Sequence, residues 1–149
     1  LERTTVSKIS LSQLLELVDQ QLPFARENGF VLEVLEEGAA TVRAPYDRKF
    51  LRPGDTIAGP VMMGLADYGI YAALLSEIGI VPLAVTTSLN INFLSRPGPS
   101  DLIAKARIMK LGKRLAVGEV EIYSDGEDAL VAHVTATYSI PPKKELLDN

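Results

Sequence analysis

Leu11, Leu14, Leu15, Val18 and Leu22 recur at three- and four-residue spacing, which predicts an amphipathic helix over residues 10–22. Ser10 or Ser12 can serve as its N-cap, and Pro23 is expected to end it. Beyond Asn28-Gly29, residues 30–35 and 39–44 read as two strands joined by a turn at Glu36-Glu37-Gly38. Residues 45–58 read as a loop, with turn chemistry at Arg52-Pro53-Gly54-Asp55. A long helix then opens at Gly59-Pro60, where proline suits the first turn, and runs to about residue 78 before Gly79. Apolar residues surround its axis, so it is expected to be buried on all sides.

Period-2 patterns dominate the rest. In residues 84–94, Val85, Thr87, Leu89, Ile91 and Phe93 alternate with Thr86, Ser88, Asn90 and Asn92, so strict alternation puts Thr87 on the apolar face. Residues 102–111, 116–123 and 130–140 alternate likewise, with short connections between them. This predicts an antiparallel meander. The order implies an α+β fold: an antiparallel sheet of about six strands wrapped around one long central helix, with an extra N-terminal helix. Open sheet edges predict pairing of two copies. The whole of 1–149 reads as one domain: an N-terminal helix and linker (1–27), a core (28–140) and a frayed polar tail (141–149).

Composition narrows the chemistry. The chain has 149 residues, 47% of them hydrophobic, with a net charge of −4, enough for one packed core and unsuited to general binding of nucleic acid or anionic membrane. No cysteine and a single histidine exclude zinc fingers, iron–sulfur clusters, thiol catalysis, disulfide scaffolds and any two-histidine site, and no metal site is expected. A Ser-His-Asp triad would need His133, which shares a polar strand face with Val131, Thr135 and Thr137 and reads as a surface or interface residue. No run resembles a signal peptide, and the most apolar stretch carries Asp67. The expectation is a soluble, cytoplasmic protein.

Asp67 is the only charged residue between Gly59 and Ser76. An ionised carboxylate in a buried helix is costly unless it is paired, hydrogen-bonded or turned to a cavity. Two readings stand: a structural acid bonded to backbone or to a hydroxyl such as Tyr68 or Tyr71, and a functional one. At the start of the same helix, first-turn N–H groups lack intrahelical partners and favour negative charge. Pro60 has no N–H, which leaves the Gly59 N–H as the donor for an oxyanion, although an ordinary Gly-Pro helix entry reads the same way. Lys105, Arg107, Lys110, Lys113 and Arg114 read as a solvated sheet face, whereas Arg48, Lys49 and Arg52 in the loop can meet phosphates. The aromatic–basic interleaving of an RNA-binding sheet is absent.

The segments AGPVMMGLAD (58–67), TTSLNINFLSRPG (86–98), KLGKRLAVGEVEIYSDG (110–126) and ALVAHVTATYSI (129–140) resemble hotdog-fold acyl-CoA thioesterases of the PaaI-like, phenylacetic-acid-pathway type. The resemblance spans roughly residues 28–140. That family's helix motif reads His-Gly-Gly, four residues, Leu, any residue, Asp. Gly59, Leu65 and Asp67 match it, while Ala58 stands in place of the histidine and Pro60 in place of the second glycine. The resemblance implies hydrolysis of an acyl-CoA thioester to free acid and CoA at a site between two subunits, with no cofactor beyond the CoA of the substrate. By position, it implies Asp67 as general base or nucleophile, the Gly59 N–H as oxyanion donor, and Thr86 as the hydroxyl orienting carboxylate or water, with Thr87 as fallback. Arg52 falls on a polar loop position that polarises the carbonyl or meets CoA. Pro60, Met63 and Tyr68, with Met62 and Tyr71, are implied around the acyl group, and methionine favours tolerance of medium-chain or aromatic acyl groups. A homodimer at the least, and a homotetramer in full, is implied, with no nucleic-acid or membrane partner. The alternative is a non-catalytic acyl-CoA or small-ligand binding protein on the same scaffold, which Ala58 and Pro60 favour. A hotdog hydratase or dehydratase ranks last, because that chemistry needs a carboxylate–histidine pair.

Overall fold

The computed structural model describes residues 6–142, so most of the expected polar tail lies outside the described residues. Helix α1 (Leu11–Gln21) starts at Ser10, whose hydroxyl accepts the Gln13 N–H while the Gln13 side chain accepts the Ser10 N–H, a reciprocal capping box. Pro23 ends α1 but also opens a second short helix, α2 (Pro23–Glu27), where a linker was expected. The reason is positional: proline lacks only an N–H that the first turn leaves unbonded anyway.

Strands β1 (Val31–Glu36) and β2 (Ala39–Ala44) follow, joined by a turn in which Gly38 has φ +76°. The expected loop contains a 3-10 turn at Arg48–Phe50 and a small hairpin, β3 (Leu51–Arg52) with β4 (Thr56–Ile57). Helix α3 (Gly59–Ile78) ends at Gly79, and strands β5 (Val85–Phe93), β6 (Leu102–Leu111), β7 (Leu115–Ser124) and β8 (Leu130–Ser139) complete the chain. Six strands form one antiparallel sheet in the order β1-β2-β6-β7-β8-β5. The expected meander therefore holds only for β6-β7-β8. Strand β5 pairs with β8 and β6 pairs with β2. The β5–β6 connection, which carries Pro97 and Pro99, is too long for a tight hairpin and crosses the end of the sheet instead.

The sheet wraps α3, the hotdog arrangement. Residues 68–76 of α3 are buried without interruption, more than two turns, so the helix is covered around its whole circumference. It is long and apolar enough to span a bilayer, but it is the core helix of this fold. Small residues let helix and sheet approach. A Cβ on Gly69 would sit 3.2 Å from the Ala106 Cβ, and Ala40, Ala104, Ala116 and Ala136 are also buried.

Ser76 fastens this packing. Fully buried, its hydroxyl donates to the Ala73 carbonyl (2.6 Å) and accepts the Gly38 N–H (2.8 Å), tying α3 to the β1–β2 turn. Ser76→Ala would leave that buried N–H unbonded. It is expected to lower stability by about 1–3 kcal/mol, read as a lower urea midpoint with an unchanged slope.

Candidate active site

Asp67 is half-buried on α3 with an asymmetric carboxylate. Its Oδ1 accepts two hydroxyls, Thr86 Oγ1 at 2.5 Å and Tyr138 Oη at 2.6 Å. The Tyr138 hydroxyl also lies 3.0 Å from the Asp67 backbone carbonyl. No described residue bonds Oδ2. Thr86 and Tyr138 are register partners across the β5–β8 ladder, so one pair of adjacent strands delivers both donors to one oxygen. The arrangement holds the carboxylate in a single orientation. Tyr138 is 2% exposed. Burial first, then the Asp67 charge and the hydrogen bond to it, push its hydroxyl far above the ordinary phenol range, so it stays a donor.

A β-bulge decides which threonine reaches Asp67. The β5–β8 register slips between Thr86 and Ser88, and the extra residue resets the alternation. Thr86 therefore turns toward α3. Thr87, placed by strict alternation on the apolar face, is exposed; its hydroxyl donates to the Thr137 carbonyl and it lines neither cavity described below.

A cavity of about 320 Å³ opens beside Asp67, bounded by Thr86, Tyr138, Tyr68, Tyr71 and the α1–α2 junction at Leu22 and Phe24. A second, of about 410 Å³, shares Phe24, Gly64, Asp67 and Thr86 and extends to Pro60, Met63 and Leu89. Tyr71 donates to the Pro82 carbonyl (3.2 Å), and the Tyr68 hydroxyl is buried with no partner among the described residues. Burial pushes both phenols up to about 12. Met62 is core.

Gly59 and Arg52 lie apart from Asp67 within one chain. Gly59 precedes it by eight residues on the same helix, about 12 Å along the axis. The α3 N-cap, Ala58, provides no side-chain hydrogen bond, and the Gly59 N–H has no partner among the described residues. Arg52 is exposed on the β3–β4 hairpin, with no ion pair to a described residue. His133 lies on the outer sheet face, 3.2 Å from Glu119, and no group of three potential metal ligands occurs among the described residues.

The Thioesterase superfamily profile matches residues 54–131, more than half of the chain and the segment that contains both Gly59 and Asp67. The chain belongs to the thioesterase superfamily. A "Putative esterase" from Saccharolobus solfataricus is 31% identical over 133 residues, covering 89% of this chain and 86% of that protein. The crystal structure of a putative thioesterase from a Silicibacter species shares 37% identity at a TM-score of 0.84, covering 94% of this chain and 97% of the other. The phenylacetic acid degradation protein PaaI from Thermus thermophilus, solved as a variant, shares 28% identity at a TM-score of 0.71, covering 80% and 99%. The chain is a PaaI-like hotdog member of the superfamily, and its general chemistry is that of a thioester hydrolase.

Reading the sequence of this superfamily member does not single out Tyr138. The available signal was its place on the inward face of β8, since a buried tyrosine hydroxyl needs a partner and Asp67 is the only charged residue between Gly59 and Ser76. Because Tyr138 and Thr86 bond the same oxygen, Tyr138→Phe and Thr86→Val are each expected to cost about 1.5–3 kcal/mol. Their combination is expected to be non-additive by at least about 0.5 kcal/mol in a denaturation double-mutant cycle. Strict additivity would show that the two hydroxyls act independently.

Proposed function

We propose that this protein hydrolyses acyl-CoA thioesters to free acid and CoA, with Asp67 as general base. The observation that carries this reading is the asymmetric carboxylate: one oxygen is held by Thr86 and Tyr138, the other has no partner among the described residues, and Asp67 borders a mostly apolar cavity. The free Oδ2 takes a proton from water as the water oxygen attacks the thioester carbonyl. Collapse of the tetrahedral intermediate breaks the C–S bond, and the proton passes from Asp67 to the leaving sulfur. Direct attack by Asp67 is the variant mechanism. Single-turnover hydrolysis in 18O-water separates them: general-base catalysis puts the label into the product acid, whereas direct attack expels the thiolate to give an acyl-aspartyl anhydride, and water opening it at the Asp67 carbonyl carbon leaves the label in the Asp67 carboxylate.

The Gly59 N–H, the proposed oxyanion donor, does not lie near Asp67 of its own subunit. The separation of about 12 Å between Gly59 and Asp67 favours a site shared by two copies, with the free N–H coming from Gly59 of the partner subunit. Strand β5 is the sheet edge nearest Asp67 and carries the exposed apolar residues Val85 and Phe93. Two-fold pairing of β5 edges would set two α3 helices antiparallel, bringing each helix start toward the other's Asp67. Pro60, Met63 and Tyr68 then border the substrate, and the exposed Arg52 guanidinium is available to CoA phosphates. A homodimer is the minimum active unit, and pairing of dimers into a tetramer extends the same reading.

Asp67→Ala is expected to abolish thiol release from acyl-CoA while leaving the fold and oligomer intact; a variant with wild-type turnover would refute the assignment. The shared site has its own test. Mixing inactive Asp67→Ala with inactive Gly59→Pro subunits is expected to restore about a quarter of wild-type activity, since half of randomly paired dimers carry one intact site. No recovery after subunit exchange would place base and donor in the same chain.

A further inference from the structure

Two residues beside Asp67 are placed in ways that stability does not explain. Phe24, on the five-residue α2, is 58% exposed despite its large apolar ring. Gly64 lies in the interior of α3, where alanine is the better helix former. The two meet. A Cβ on Gly64 would lie 2.7 Å and 2.9 Å from ring atoms of Phe24, so the ring rests on bare helix backbone. Its position is braced edge-on by Phe30 (6.1 Å, 75°), which in turn stacks on Tyr68 (6.5 Å, 18°).

The helix spacing shows what the ring crosses. Gly64, Asp67, Tyr68 and Tyr71 form one face of α3 and border the inner cavity. Pro60, Met63, Gly64 and Asp67 repeat that spacing one turn earlier and border the outer one. The cavities are two halves of a single groove, about 16 Å long from Pro60 to Tyr71. Phe24 borders both halves, as do Gly64, Asp67 and Thr86.

We infer that Phe24, seated on Gly64, is the specificity-determining residue for the acyl group: it walls the inner half of the groove and sets the size limit of the acyl chain held there. This rests on the thioesterase reading, because it takes the thioester carbonyl to lie at Asp67. The inner half receives the acyl chain and the outer half, ending at exposed Pro60, receives the thiol arm. At about 320 Å³ the inner half is at the small end of ligand pockets, which selects compact acyl groups. Its lining contains no cation, and its one charge is Asp67, so it takes neutral acyl chains and disfavours those tipped with a carboxylate. Phe24 precedes the family-matched segment, so this selection is a property of the N-terminal helices.

The experiment compares wild type, Phe24→Ala and Gly64→Ala. Thiol release is measured for saturated acyl-CoA esters from acetyl to palmitoyl. Binding of the matching non-hydrolysable 2-oxoalkyl-CoA thioethers is measured by calorimetry. In the wild type, each added methylene is expected to tighten binding about three- to fourfold until the inner half is full, after which affinity falls. Phe24→Ala is expected to move the optimum about two methylenes longer and to improve the longest chains by about tenfold or more. Gly64→Ala, which pushes the ring off the helix, is expected to move the optimum the same way with melting temperature unchanged or raised. A purely structural Gly64 would instead lower the melting temperature and leave the optimum in place. An optimum that stays put in both variants, in turnover and in binding, overturns the inference while leaving the thioesterase reading standing. A binding optimum that shifts as expected in a protein that hydrolyses none of the esters supports the inference and sinks the hydrolysis. No binding of any thioether overturns both.

Discussion

A helix that is apolar on every side has no face to give to water, and α3 imposes this constraint on the rest of the molecule. One flat sheet covers only one side of a helix, so the sheet must curl. The curl in turn requires short distances between helix and strands, which Gly69 and the alanines on the inward face permit. It is helped by irregular registers in β1, β5 and β6, because each bulge adds local twist. Ser76 makes a buried polar link between the far end of α3 and the sheet at the β1–β2 turn.

The candidate site arises where that covering ends. Strand β5 is the last strand on its side, and beyond it the sheet no longer shields the helix face that carries Asp67. A carboxylate there is neither fully buried, where it would need a counter-charge, nor fully solvated. Two hydroxyls from β5 and β8 bond one oxygen, the other has no partner among the described residues, and Asp67 borders the cavity. Both donors are neutral hydroxyls, and no cation pairs with Asp67 among the described residues. The phenol of Tyr138, held protonated by burial and by Asp67, can only donate.

Much of this was legible in the residues themselves. Strands β6, β7 and β8 each bury one face, so their alternation reads directly, and α3 announces its burial by having no polar stripe. Asp67 stood out for the same reason. The rest depends on contacts between distant parts of the chain. The bulge at Thr86–Ser88 adds a residue without altering composition, so a period-2 count through Thr87 runs on in the wrong phase. The pairing of β5 with β8 is a choice among edges that no local pattern encodes. Tyr138 looked like any inward aromatic until the fold set it opposite Thr86. Pro23 carried two meanings, end of one helix and start of another, and only the second brings Phe24 over Gly64.

The alanine at position 58, where the resembled family has histidine, can be weighed by what holds the start of α3. The approach to the helix is fixed by backbone: the Ala58 N–H donates to the Phe50 carbonyl at 2.8 Å and the Ile57 N–H to the Pro97 carbonyl at 3.1 Å. Neither bond uses the side chain at 58. A capping side chain at 58 would bond the N–H of the second or third helical residue, here only Val61 because Pro60 has none, so the Gly59 N–H does not depend on the side chain at 58. Gly59 itself is constrained from the other side, because a Cβ there would lie 3.0 Å from the Phe93 ring on the edge strand. The geometry of this helix start is therefore a backbone property, set by Gly59, Pro60 and the loop bonds behind them. Losing the histidine removes one orienting side chain from the loop and leaves the proposed oxyanion donor where the fold puts it.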